Sequence, residues 1–207
     1  LLAWLSLPRL WQRLPTDQGR AHAVGAEKSI GKPMSAGIIF VPMMVLVAFL
    51  FVPTSEKVAG VLICLLLAMG VGYFDDRSLG GWSEYRLGAL DLMISLLAAW
   101  ILCGGQPMEI WLPIMKDTVV LEPWLYIAMA TPLLWISINA TNCTDGVDGL
   151  SASLTSMGIL FLGGILYGIV GHADIARYLL VPHYGDGAQW AILAFIAVGT
   201  LAGYLWH

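Results

Sequence analysis

Charge is what this sequence has least of. Only 12% of its 207 residues are Asp, Glu, Lys or Arg, and the net charge is −4. Soluble domains carry about a quarter charged residues, so this chain has too few to cover a water-facing surface. Basic clusters interleaved with aromatics are also missing, which removes nucleic acid as a partner. Cysteine is sparse, and Cys64, Cys103 and Cys143 show neither paired nor metal-like spacing. Cys64 and Cys103 read as small apolar packing residues. His22, His172, His183 and His207 are scattered without metal-ligand spacing; the first three read as interfacial, and for His207 a catalytic reading stays open. No initiator Met opens the chain and both ends fall inside apolar runs. The ends are therefore expected to be cuts, and the lack of a signal peptide excludes nothing.

Apolar residues are abundant, at 58% of the chain. They gather in runs at about 1–14, 37–53, 58–74, 87–103, 123–141, 149–171 and 188–206. At ~1.5 Å per helical residue, runs of this length cross ~30 Å of hydrocarbon. Trp4, Trp11, Trp82, Trp111, Trp124, Trp190 and Trp206 fall near run ends, as an interfacial aromatic belt requires. The expected fold is an all-α polytopic membrane protein. One transmembrane domain covers 1–207, with about seven transmembrane helices, the first partial. A short β-hairpin near 114–121 is expected around the Lys116-Asp117 turn.

Alternation of spans sorts the loops onto two sides. One side receives Arg9, Arg13, Arg20, Lys28, Lys32, Arg77 and Arg86; the other receives Lys57, Lys116 and Arg177. The positive-inside tendency puts the first side in the cytoplasm, and the hairpin on the extracytoplasmic side. The three polar stretches able to carry chemistry all fall on the first side.

Tyr73-Phe74-Asp75-Asp76-Arg77 sets two adjacent carboxylates where a long apolar helix leaves the membrane. A solvated helix end with Arg77 nearby would explain them. Acids are nevertheless disfavoured at a helix C-terminus by ~0.3–1 kcal/mol, and adjacent acids repel, which suggests a cationic group between them. The segment Asn139-Ala140-Thr141-Asn142-Cys143-Thr144-Asp145-Gly146-Val147-Asp148-Gly149 is denser in amides, hydroxyls, carboxylates and glycines. A capping turn needs one such residue rather than six. Asp145 and Asp148, three apart, can accept hydrogen bonds from a base or sugar, and Gly146 permits close backbone approach. A calcium loop is excluded, because counting from Asp145 the twelfth place is Ser156. Lys28-Ser29-Ile30-Gly31-Lys32-Pro33-Met34-Ser35-Ala36-Gly37 reads either as a basic flank or as a receiver of phosphate oxygens. Asp91 lies inside a span, near its cytoplasmic end.

Together these residues resemble the polyprenyl-phosphate hexose-1-phosphate transferases. The most specific part is Asn139-x-x-Asn142-x-Thr144-Asp145-Gly146-x-Asp148-Gly149-Leu150. Thr144, the hairpin-like 114–124 stretch and Gly203-Tyr204-Leu205-Trp206 favour the phospho-N-acetylmuramoyl-pentapeptide branch. The family's Lys-x-x-Gly-Thr-Pro-Thr-Met-Gly-Gly run survives loosely at 28–37. Leu79 stands where that family usually has Lys, and Arg86 replaces another Lys.

The resemblance implies transfer of phospho-N-acetylmuramoyl-pentapeptide from its UDP-linked form to undecaprenyl phosphate, giving lipid I and UMP in peptidoglycan synthesis. It implies Mg²⁺ as cofactor, a bacterial cytoplasmic membrane, an active site on the cytoplasmic face, and room for a homodimer. Asp75 and Asp76 would serve the reacting phosphates. Asn142 and Asp75 would lie near the metal, whose main Asp is expected beyond residue 207. Lys28 and Arg86 would contact phosphates, and Asn139, Asn142, Thr144, Asp145, Gly146 and Asp148 would bind the nucleotide sugar. A phosphate monoester is already mostly ionised at neutral pH, so Asp75 reads as an organising group rather than a base. Two alternatives stand: the N-acetylglucosamine-1-phosphate branch of the same superfamily, and a non-enzymatic transporter, which would place facing acids at the bilayer midplane.

Overall fold

The computed structural model describes residues 2–16, 31–78, 80–112, 118–144 and 149–207. A short helix, α1 (Leu2–Leu10), is followed by a 3₁₀ turn (Trp11–Arg13), and the next described helix is α2 (Gly37–Phe51). Two long helices follow, α3 (Glu56–Arg77) and α4 (Glu84–Cys103), then strands β1 (Met108–Trp111) and β2 (Thr118–Leu121). The chain continues through α5 (Pro123–Thr144), α6 (Leu150–Ile165) with a π-helical extension at Leu166–Val170, the short α7 (Ala173–Tyr178), and α8 (Gly187–Leu205).

Local chemistry sets several of these boundaries. Ser55 and Ser83 cap α3 and α4, their hydroxyls accepting from the Val58 and Arg86 amides at 3.2 and 3.4 Å. Pro123 opens α5, where its missing N–H costs no helical hydrogen bond. All seven apolar runs become helical, but unequally. Among the described residues five helices are long and apolar enough to cross a membrane. In contrast, α2 has 15 residues and α1 nine, too short at ~1.5 Å per residue for ~30 Å of hydrocarbon.

Three boundaries differ from the sequence expectation. The hairpin starts earlier than 114: Met108 pairs with Leu121 and Trp111 with Thr118 in antiparallel register. Pro113 has no amide N–H to add to a ladder, which accounts for β1 ending at Trp111. The Lys116-Asp117 turn lies outside the described residues. Helices α3 and α5 also run past the apolar stretches that announced them, to Arg77 and Thr144. Asn142 and Thr144 are consequently helical residues, not loop residues, and Asp75 and Asp76 stand in the last helical turn, the helix end at which the sequence set them.

Packing departs from chain order. Helix α4 lies between α3 and α5, while α8 packs on α6, α2 and α1. One apolar cluster joins α2, α3 and α8 through Ala48, Val58, Leu62 and Leu193. A second joins α1 and α2 through Ala3, Leu7 and Ile39, with Tyr204 of α8 against it. Small residues permit close helix approach in a membrane, where lipid supplies no hydrophobic drive for association. Accordingly, α4 buries Ser95, Ala99 and Cys103. Helix α5 buries only Thr131, and Trp100, Leu133 and Phe161 are among the large apolar side chains left facing outward.

Candidate functional site

Alternation of the helices brings the end of α3, the start of α4, the end of α5, the start of α6 and the end of α8 to one end of the bundle. The start of α2 is there too, bonded directly to α3. Phe40 of α2 and Tyr204 of α8 lie 5.2 Å apart, ring to ring. Beyond Tyr204, Leu205 packs beside Gly149 at the start of α6.

Asp75 and Asp76 occupy the last turn of α3, both half-buried. Successive helical residues point about 100° apart, so the two carboxylates diverge toward different neighbours. Asp75 Oδ1 accepts the backbone N–H of Trp82 at 2.6 Å. Gly80 and Gly81, with φ of 83° and 71°, supply the left-handed turn that brings that amide back. Asp76 Oδ2 accepts the Ser35 hydroxyl at 2.6 Å. One carboxylate thus holds the entrance to α4 and the other the entrance to α2. Each of these donors offsets part of the cost of placing a carboxylate at a helix C-terminus.

Arg77 is exposed and donates toward the Tyr73 hydroxyl at 3.5 Å. The exposed Arg86 guanidinium lies 3.8 Å from the Trp82 ring centroid, a cation–π arrangement that restrains it without burying its charge. Because Trp82 also carries the amide bound to Asp75, Arg86 and Asp75 are positioned through one residue.

At the end of α5 the polar side chains fold back onto the helix backbone. Asn139 Nδ2 donates to Trp135 O at 2.9 Å, Thr141 Oγ1 to Ser137 O at 2.7 Å, and Thr144 Oγ1 to Thr141 O at 2.7 Å. Between this end and the start of α6 lies an open groove of about 300 Å³, lined by Ala140, Thr141, Thr144, Ser151, Leu154 and Thr155. The Thr141 and Thr144 protons are committed to carbonyls, which leaves their oxygens as acceptors. The groove suits a ligand rich in O–H or N–H donors, such as a sugar or an imide, better than a bare phosphate. Asn142 is exposed on the same last turn.

Of the sequence-selected residues, Lys28, Asp145, Gly146 and Asp148 lie outside the described residues. Asp91 is half-buried in α4, seven residues past its start. His207 packs at the end of α8 between Trp4 and Trp11, ring centroids 6.0 and 6.1 Å away, with Nε2 2.9 Å from Trp4 O. Sequence reasoning did not single out Ser35 or Trp82 as site residues, and no periodic signal could have. Their contacts join segments 41 and seven positions apart.

Among the described residues no group of three His, Cys, Asp or Glu gathers into a metal cage. Magnesium commonly takes one or two carboxylates and completes its shell with water and substrate phosphates. Asp75 spends one lone pair on Trp82, and a carboxylate offers about four. The donor set at this end is therefore compatible with such an ion.

A polytopic helical membrane protein whose carboxylates and hydroxyl-lined groove share one end is the class this architecture defines. The profile of the family described as "Glycosyl transferase family 4" matches residues 58–207. The chain belongs to that family. Relatives named phospho-N-acetylmuramoyl-pentapeptide-transferase include one from Treponema pallidum subsp. pallidum, 44% identical over 97% of this chain and 56% of the relative. Another, from Gloeothece citriformis, is 30% identical over the full chain and 61% of the relative. A third, from Bartonella quintana, is 26% identical over the full chain and 61% of its length. The chain thus spans little more than half the length of the relatives it matches.

Proposed function

We propose that the intact protein transfers phospho-N-acetylmuramoyl-pentapeptide from UDP to undecaprenyl phosphate at the cytoplasmic face of a bacterial inner membrane, releasing UMP and forming lipid I. The observation that carries this reading is the meeting of Asp75, Asp76 and the hydroxyl-lined groove at one end of the bundle. It occurs in a chain 44% identical to a relative named for that activity.

An oxygen of the lipid phosphate attacks the phosphorus bonded to the sugar. The bond from that phosphorus to the UMP oxygen breaks, and UMP leaves with the electron pair. Such displacements depend on positioning and charge neutralisation more than on proton transfer. The attacking phosphate is already ionised near neutral pH, so Asp75 and Asp76 act as organisers of the phosphate end rather than as bases. Asp75 and Asn142 would hold magnesium, which when bound neutralises phosphate charge. Arg86, braced on Trp82, and Lys28 meet the phosphates. Asn139, Thr144, Asp145, Gly146 and Asp148 serve the nucleotide–sugar side, where the acceptor-rich groove suits hydroxyl and imide donors. The acids stand in a terminal helical turn, whereas a transporter reading wants them facing one another at the membrane midplane.

The test is exchange of labelled UMP in membranes carrying the intact protein, with undecaprenyl phosphate and magnesium. Label should enter UDP-N-acetylmuramoyl-pentapeptide and leave UDP-N-acetylglucosamine untouched. Exchange into the second sugar alone moves the protein to the N-acetylglucosamine-1-phosphate branch. Exchange into neither removes the transferase reading.

A further inference from the structure

Ser35 combines two features that independently single it out. Its φ is +60°, a left-handed conformation that L-residues other than Gly, Asn and Asp avoid. It also stands just before α2, where a serine usually turns its hydroxyl to cap the helix. Here Ala36 is the N-cap residue, and no side chain caps the helix. The Ser35 hydroxyl leaves its own helix and donates to Asp76 Oδ2 at 2.6 Å, 41 residues away.

The surrounding backbone fixes this geometry on both sides. Upstream, the Met34 amide donates to Pro15 O at 2.8 Å, and Pro33 bridges to Thr16. Downstream, Ser35 O accepts the Ile38 amide at 3.1 Å as α2 begins. A disfavoured backbone persists only where its surroundings over-determine it, and such residues concentrate at functional sites.

We propose that Ser35 is a positioning residue: its strained backbone aims a hydroxyl that holds the Asp76 carboxylate in one orientation for the phosphate-bearing substrates. This rests on the transferase reading above. The entrance to α2 thereby becomes part of the phosphate end without itself touching substrate.

Glycine at this position separates strain from aim, because it accepts φ +60° freely yet has no hydroxyl. In membranes carrying the intact protein, Ser35→Gly should keep or raise the thermal midpoint. Its UMP-exchange kcat should fall about tenfold, the loss of one charge-assisted hydrogen bond, with KM for the UDP-sugar changed less than about twofold. Ser35→Asn, which tolerates the same backbone and carries an amide donor, should recover most of the lost turnover. Turnover equal to wild type in Ser35→Gly overturns the positioning role alone. So does a Ser35→Gly loss of activity that merely tracks a lower thermal midpoint, or failure of Ser35→Asn to recover any turnover. Absence of exchange in the wild type instead overturns the transferase reading, and the proposal with it.

Discussion

At the end of the bundle carrying Asp75 and Asp76, segments are joined by side-chain hydrogen bonds: Ser35 to Asp76, the Trp82 amide to Asp75, and Trp135 Nε1 to Gly88 O at 2.8 Å. At the opposite end, α6 and α8 are joined by backbone pressed against backbone. A Cβ at Gly187 would come within 2.6 Å of Leu166 O and 2.9 Å of the Gly171 Cα, and the Tyr184 amide closes the same corner on Val170 O at 2.7 Å. Hydrogen bonds of the first kind fix direction and can be exchanged one at a time. Contact of the second kind fixes distance and tolerates no addition. The difference sets joints that aim charges apart from the α6–α8 joint that holds two helices at a set spacing, although the far end also has a side-chain bond, Gln189 Nε2 donating to Pro53 O.

The largest effect that sharpens this comparison is on turnover. Asp75→Asn keeps an oxygen to accept the Trp82 amide, so the thermal midpoint should stay near wild type. UMP exchange should drop by roughly 10²-fold or more, the usual loss when an electrostatic group is removed from such a site. Exchange retained near wild type, with weaker magnesium dependence, would restrict Asp75 to holding metal. A trapped aspartyl-phosphate would overturn the organising role in favour of a nucleophile. Next in size, Gly187→Ala forces two backbones apart and should cost about 1–3 kcal/mol of stability, seen in the thermal midpoint in detergent. Exchange per folded molecule should be unchanged; a parallel loss would break the separation of the two ends. The smallest effect belongs to Trp135→Phe, which removes the bond to Gly88 O. Interhelical hydrogen bonds in membranes average about 0.6 kcal/mol, so the midpoint should fall slightly and exchange little. A fall as large as that of Gly187→Ala would show that the two kinds of joint do not differ.

The apolar runs made the helices legible, because nothing else satisfies every backbone polar group in lipid. The ends of those helices were less legible. Polarity at 142–144 reads as loop, yet those residues are helical, with the Thr144 hydroxyl turned back onto the helix backbone. Loop parity foretold that the α3 end and the α5–α6 junction would share one side. It could not foretell that α8 would pack between α6 and the α1–α2 pair, since that order follows from three-dimensional fit. Asp75 and Asp76 were visible as acids, but their divergence onto Trp82 and Ser35 was not. A carboxylate's partner across 41 residues leaves no periodicity to read.

The glycine contact at the far end also has a mechanical meaning. Helix α8 has 19 residues, which makes it about 28 Å long at 1.5 Å per residue. Its near end is pinned at Gly187, and its far end sets Leu205 beside Gly149. Between those ends α8 is held along its length by α6, α2 and α1. The close fit at Gly187 thus fixes where α8 enters the bundle, and the seating of Gly203 against Ala3 and Trp4 fixes where it leaves.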